Sequence, residues 1–202
     1  MTVVTKEMDI LITGVGGQGV ILASDIICET ALGTGFDVKK TDTLGMAQRG
    51  GSVTSNIRIG EKVWSPIIRE GDVDLMLSFE KLEAARWGHT LHKGSVVIVN
   101  DYMQPPTSCS LGQEKYPSHE EIAASLTRVT DQVYFVDANA RAKELGNVRT
   151  LNIFMLGCLS VFTPISVDDW KQSIAQRLPD RLVEINLKAF DLGRKEIEGV
   201  RI

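Results

Sequence analysis

Apolar residues along this chain alternate between a period of two and a period near 3.6, the rhythm of strands interleaved with helices. Met8 to Thr13 is a short apolar run that leads straight into Gly14-Val15-Gly16-Gly17-Gln18-Gly19. From Val20 to Leu32 the apolar positions Ile21, Leu22, Ile26, Ala31 and Leu32 share a helical face that ends near Gly33 and Gly35. This reads as strand, glycine turn and helix. Phe36 to Thr43 predicts a second, more polar strand, and Leu44 to Gly51 a loop containing Gly45, Gly50 and Gly51. Val53, Ser55, Ile57 and Ile59 then lie on one side of a period-2 segment. Gly60-Glu61 and Lys62-Val63-Trp64-Ser65-Pro66 follow, so a hairpin or tight turn is expected there, at a sheet edge or beside a partner.

Further on, Asp74 to Phe79 and Ser95 to Val99 have the apolar, β-branched character of buried strands, with a helix expected from Glu80 to Leu91 between them. Ser118 and Glu121 have capping-box spacing for a helix through about Val129, and Val133 to Val136 is a last strand. Helices are then expected over Ala138 to Leu145, Leu151 to Phe162, a segment opened by Ser166 and Asp169, and Leu182 to about Ile197. The pattern predicts a three-layer α/β fold with a Rossmann-like, mostly parallel sheet, a hairpin-like segment and a helical C-terminal tail. With no linker or internal repeat, residues 1–202 are expected to form a single domain.

Composition narrows the function classes. At 43% hydrophobic and 24% charged the chain has the make-up of a globular protein with a full core. The net charge of −4 and the absence of a Lys/Arg cluster argue against nucleic acid or an anionic membrane as partner. No apolar run approaches the roughly 18–20 residues of a membrane span, and the start lacks the order of a signal peptide, so a cytoplasmic protein is expected. Cys28, Cys109 and Cys158 are odd in number and far apart, which fits reduced thiols rather than a disulfide framework or a metal site.

Gly14-Val15-Gly16-Gly17-Gln18-Gly19 has G-x-G-x-x-G spacing between a strand and a helix, where glycines let the backbone approach a ligand and the helix start offers free N–H groups to an anion. The other reading is that these glycines only let the first helix pack close to the sheet. A nicotinamide site would want an acid near the end of the second strand; Asp42 is near that place, but Asp37 and Lys39-Lys40 blur the pattern. The second glycine cluster, Gly45-Met46-Ala47-Gln48-Arg49-Gly50-Gly51, is expected at the same sheet edge. There Gln48, Arg49 and the backbone of Gly50 and Gly51 could meet a phosphate or carboxylate. Alternatively Arg49 pairs with Glu80 or Asp42, or contacts a partner subunit.

These two loops, with Ile57-Arg58-Ile59-Gly60 and Ser65-Pro66, resemble the gamma-type domain of 2-oxoacid:ferredoxin oxidoreductases, in the form of the small (beta) subunit of the indolepyruvate branch. The resemblance continues through Glu80, Glu83-Ala84 and Arg86, Asn147, Asn152 and Gly157, and Asn186, Ala189-Phe190 and Gly193, so it covers almost the whole chain. It implies oxidative decarboxylation of a 2-oxoacid to acyl-CoA and CO2, with coenzyme A as co-substrate and ferredoxin as electron acceptor. This chain has neither a Cys-x-x-Cys run nor the Gly-Asp-Gly and Asn-Asn segments of a thiamine diphosphate site. The resemblance therefore implies that thiamine diphosphate, magnesium and the iron–sulfur clusters sit on a large partner subunit and that this chain alone is inactive. It further implies that Gly14, Gly16, Gly17, Gln18, Gly19, Gln48, Arg49, Gly50 and Gly51 hold an anionic part of the substrate or coenzyme A, or else shape the subunit interface.

Other readings stay open on sequence alone: the gamma subunit of a pyruvate, 2-oxoglutarate or branched-chain 2-oxoacid enzyme, a nicotinamide or flavin oxidoreductase, or a nucleotide-binding assembly protein. His89 and His92 lack a third metal ligand, His119 is a first-turn residue, and Cys28 and Cys158 read as core. Trp64 is the aromatic residue expected at a subunit contact.

Overall fold

The first apolar run forms β1 (Met8–Val15), whose residues alternate between two cores. In this computed structural model, which describes residues 7–45 and 50–199, β1 passes through the glycine turn into α1 (Val20–Gly33). β2 (Asp37–Leu44) and β3 (Ser52–Gly60) follow as an antiparallel pair. After them come β4 (Val73–Ser78), α2 (Lys81–Arg86), β5 (Leu91–Asn100), the short α3 (Thr107–Ser110), α4 (His119–Thr127) and β6 (Gln132–Val136). The C-terminal run is helical: α5 (Ala138–Glu144), α6 (Leu151–Ser160), α7 (Val167–Arg177) and α8 (Asp180–Glu198).

The six strands lie in the order β2-β3-β1-β4-β5-β6. β1, β4, β5 and β6 pair in parallel, and β3 runs antiparallel to both β1 and β2. The expected sheet is thus present, helices cover both faces, and the hairpin-like segment is real. Its turn is the 45–51 loop rather than Gly60-Glu61. After Gly60 the chain is pinned back by Asp37, whose carboxylate accepts from the Val63 N–H at 3.0 Å, so Lys62 to Ser65 does not form a returning strand. The helix expected from Glu80 to Leu91 ends at Arg86, passes through a 3-10 turn at Gly88–Thr90, and gives way to β5.

Period two sorts the strand side chains. Ile10, Ile12, Leu75, Leu77 and Ile98 face the larger core under α1 and the C-terminal helices, and Leu11, Met76, Val97 and Val99 face the smaller one under α2 and α4. α6 is buried from Ile153 to Ser160 because α8 covers the side turned away from the sheet. That contact is backbone to backbone. A Cβ at Gly157 would lie 2.2 Å from the Phe190 carbonyl oxygen, and one at Gly193 would lie 2.0 Å from that of Phe154. Among the described residues no helix is long and apolar enough to cross a membrane.

Candidate functional site

β1, β2, β4, β5 and β6 all run toward one edge of the sheet, and their C-terminal ends bring the glycine turn, the 45–51 loop, Phe79, Asn100 and Asp137 together there. In α/β sheets this edge is where ligand crevices open. Gly17 and Gly19 have φ of 101° and 83°, left-handed values that an L side chain adopts at a cost. α1 has no side-chain cap and no acid in its first turn, so its leading N–H groups keep their affinity for an anion.

Side chains hold this loop rigidly. Gln18 Oε1 accepts from the Val15 N–H at 2.8 Å, and Gln18 Nε2 donates to Gln104 Oε1 at 3.3 Å. Asn152, at the start of α6, donates through Nδ2 to the carbonyls of Gln18 at 3.0 Å and Gly19 at 2.9 Å. Gly14 is tightly packed, since a Cβ there would meet Val20 at 2.8 Å and Phe79 at 3.1 Å. The Gly16 N–H donates to the Gly51 carbonyl at 2.8 Å, which stitches the two glycine loops together. Gly50 has φ 81° with open space at its Cβ position. Gln48 and Arg49 lie outside the described residues.

Glu80 organises the opposite wall. It is 1% exposed, caps α2 by accepting from the Glu83 N–H at 3.0 Å, and accepts from the Gln104 N–H at 3.0 Å and the Tyr116 hydroxyl at 2.5 Å. Burial first, and then the hydrogen bond to Glu80, push the Tyr116 phenol well above its ordinary range, so it stays protonated and donating. Glu83, also buried, accepts from the Ser52 hydroxyl at 2.5 Å and from Arg86 at 2.6 Å, which anchors the exit of the second glycine loop. Both Glu80 and Asp42, the partners considered for Arg49, have other contacts: Asp42 accepts from Ser55 at 2.7 Å and pairs with Lys40 at 3.0 Å.

The result is a cleft of about 450 Å³ beside Gly17, Gln18 and Gly19. Amide side chains from Asn100, Gln104, Asn139 and Asn152 line it, together with apolar surface from Leu22, Phe79, Val148 and Leu151. Tyr102 and Arg149 complete the lining, which among the described residues contains no carboxylate, thiol or imidazole. Asn100 is fixed at the end of β5, donating to the Phe79 carbonyl at 3.3 Å and to Asn139 Oδ1 at 2.9 Å while accepting from the Ala138 N–H at 3.1 Å. Tyr102, Asn139 and Arg149 carry no motif spacing. The signal that could have found the first two is their position just after the ends of β5 and β6. A smaller hollow of about 280 Å³ lies on the other flank of the glycine loop against Leu44 and Val53.

The weaker candidates are placed elsewhere. Burial pushes the Cys28 thiol up to about 12 and the Cys158 thiol higher still, so both are protonated, Cys158 within the core and Cys28 half-buried against it. His92 faces Asp74 at 3.4 Å and His89 faces Glu70 at 3.9 Å, and among the described residues no cluster of three His, Cys, Asp or Glu side chains could hold a metal ion. Trp170 is buried, while Trp64 is 84% exposed at the opposite edge of the sheet.

A glycine loop opening a helix, set against an amide-lined cleft at the C-terminal edge of a mostly parallel sheet with helices on both faces, places the fold in the doubly wound α/β class. The chain belongs to the pyruvate ferredoxin/flavodoxin oxidoreductase family, whose pattern matches residues 9–196. It is similar to the indolepyruvate oxidoreductase subunit IorB of Pyrococcus horikoshii, at 39% identity over 94% of this chain and 96% of that one. The subunit of the same name from Archaeoglobus fulgidus is 37% identical over 93% of this chain and 94% of its own length. Among solved structures, the gamma subunit of a keto/oxoacid ferredoxin oxidoreductase from Geobacter sulfurreducens superposes with a TM-score of 0.70 at 25% identity, covering 95% of this chain and 99% of that one.

Proposed function

We propose that this chain is the small subunit of a coenzyme-A-dependent indolepyruvate:ferredoxin oxidoreductase, and that it holds coenzyme A in the cleft beside Gly17 to Gly19. The observation that carries the reading is the lining itself: among the described residues it offers hydrogen-bonding amides, apolar surface, a helix start and one guanidinium, without a carboxylate, imidazole or thiol. Such a surface binds and orients. The hard chemistry, decarboxylation and electron transfer, would be supplied by thiamine diphosphate, magnesium and iron–sulfur clusters on a large partner subunit. The three cysteines here are far apart in sequence, and Cys158 is buried in the core with Cys28 half-buried against it.

Docking of that partner is expected over the C-terminal edge of the sheet. Leu22, Leu44, Tyr102, Met103 and Val148 are exposed around the glycine loops, an apolar rim that a subunit interface would cover. The indolepyruvate assignment is supported by the Gly-Met-Ala-Gln-Arg-Gly-Gly form of the second loop and by the names of the relatives at 37% and 39% identity. The test is to co-express the chain with its large subunit and follow reduction of a viologen dye. Coenzyme-A-dependent reduction with indolepyruvate or phenylpyruvate is expected. Activity with pyruvate or 2-oxoglutarate instead would refute the substrate assignment, and turnover by the large subunit alone would refute the role of this chain.

A further inference from the structure

We infer that Arg149 is the residue that selects the co-substrate, by holding the 3′-phosphate of coenzyme A; the inference rests on the reading that coenzyme A occupies this cleft. Among the described residues Arg149 is the only charged one in the lining, and its guanidinium makes no ion pair. Several arginines are satisfied within the chain, Arg58 by Asp9, Arg86 by Glu83, Arg141 by Glu144 and Glu196, and Arg194 by Glu198; Arg69, Arg128 and Arg181 make no ion pair among the described residues either, but none of them lines this cleft. The contrast is sharpest in the cavity of about 340 Å³ between the far end of α1 and α7, where Arg177 lies 3.7 Å from Asp25 and 3.8 Å from Glu29. That cation is neutralised within the chain. Arg149 is left with a five-donor fork and no anion.

Its backbone is held in place. The 3-10 turn Val148–Thr150 is capped by Asn147, whose Oδ1 accepts from the Arg149 N–H at 3.0 Å and whose carbonyl accepts from the Thr150 hydroxyl at 2.8 Å. Thr150 is fully buried, and Asn152, two residues on, is bonded to the glycine loop. The cleft therefore presents two anion receivers, the leading N–H groups of α1 at the glycine turn and the guanidinium of Arg149, carried on a pinned backbone. They suit different groups. A helix start surrounded by glycine accommodates a diphosphate, and a single guanidinium fork matches a phosphate monoester. Coenzyme A carries one of each, whereas a 2-oxoacid carries a single carboxylate.

The experiment uses the chain assembled with its large subunit and compares coenzyme A with dephospho-coenzyme A in the wild type, Arg149→Ala and Arg149→Lys. Arg149→Ala is expected to raise the KM for coenzyme A about tenfold or more, the fold-change of one lost charge-assisted hydrogen bond, with no effect on the KM for dephospho-coenzyme A. Arg149→Lys, which keeps the charge without the fork, should fall between. Equal losses for the two coenzymes, a raised KM for the arylpyruvate instead, or failure of the Arg149→Ala complex to assemble would each overturn the inference. The underlying reading fails separately: if a Gly19→Ala complex, with its loop displaced, keeps wild-type KM values for both coenzymes, coenzyme A is not in this cleft.

Discussion

The contact between Gly19 and Asn152 supports a quantitative test of how the site is built. Replacing Gly19 by alanine does two things. It forces an L residue into φ 83°, which costs about 1–2 kcal/mol, and it puts a Cβ 2.2 Å from Asn152 Nδ2. The amide must swing away and give up its bonds to the Gln18 and Gly19 carbonyls, each worth about 0.5–1.5 kcal/mol net. Gly19→Ala should therefore cost about 2–5 kcal/mol in all. Asn152→Ala alone loses the two bonds, about 1–3 kcal/mol. In the double variant the clash is gone and the bonds are lost only once, so its cost should equal that of Gly19→Ala alone. The coupling energy is then about 1–3 kcal/mol below additivity. Gly17→Ala is the control: φ is 101° but nothing lies within 4 Å of the Cβ position, so it should cost only the backbone strain and add independently to Asn152→Ala. Urea unfolding followed by fluorescence and circular dichroism measures the wild type and the five variants, the Gly17→Ala/Asn152→Ala double included, coincidence of the two signals checking that the transition is two-state. If Gly19→Ala and Asn152→Ala add to within about 0.5 kcal/mol, Asn152 is not what fixes the loop.

Other consequences of the structure can be measured on the same footing. Gly193→Ala should destabilise by about 3 kcal/mol or more in thermal melting, because its Cβ would be 2.0 Å from the Phe154 carbonyl and α6 and α8 would have to separate. Glu80→Gln turns one acceptor oxygen into a donor facing donors; about 1–3 kcal/mol should be lost, and limited proteolysis should cut faster within residues 101–117, which Glu80 holds through Gln104 and Tyr116. Asp37 is held down to about 2 by the hydrogen bond from Lys39 and then by that from the Val63 N–H. Because its folded value is depressed, its contribution is present above the ordinary carboxylate value and fades as pH falls toward 2; the wild type should lose its stability advantage over Asp37→Asn across that window in acid unfolding.

The strands and helices were legible wherever a periodic apolar pattern met a local stop signal. The Ser118 and Glu121 capping box opens α4 as expected, and Ser166 opens α7 by accepting from the Asp169 N–H. What misled was chemistry acting over longer range. Gly60-Glu61 has the composition of a hairpin turn, yet Asp37, at the start of β2, captures the Val63 N–H and holds the segment against the sheet end. The real hairpin turn carries the second glycine cluster, whose residues read as a ligand loop. The site divided the same way. Its loop was visible because glycines cluster in sequence, and Asn152 because it belongs to the family resemblance. Arg149, Tyr102 and Asn139 come from separate loops that only the folded sheet edge brings together, so no spacing could announce them.

Strand order explains why a dinucleotide-like glycine turn has lost its dinucleotide logic here. In a Rossmann unit the strand after the first helix lies directly beside the first strand, which puts its terminal acid within reach of a ribose. In this chain β3 is inserted between β1 and β2 and runs the other way. Asp42 is thereby moved one strand further from the glycine turn and is engaged by Lys40 and Ser55. The same insertion gains something in exchange. Because β3 starts at the edge where β1 ends, Gly51 is delivered next to the glycine turn, and the Gly16 to Gly51 hydrogen bond joins them. One change in topology thus moves Asp42 away from the glycine turn and brings Gly51 against it. Arg149, the cation that lines the cleft beside that turn, comes from the helical tail, the part of the chain that a dinucleotide unit does not need.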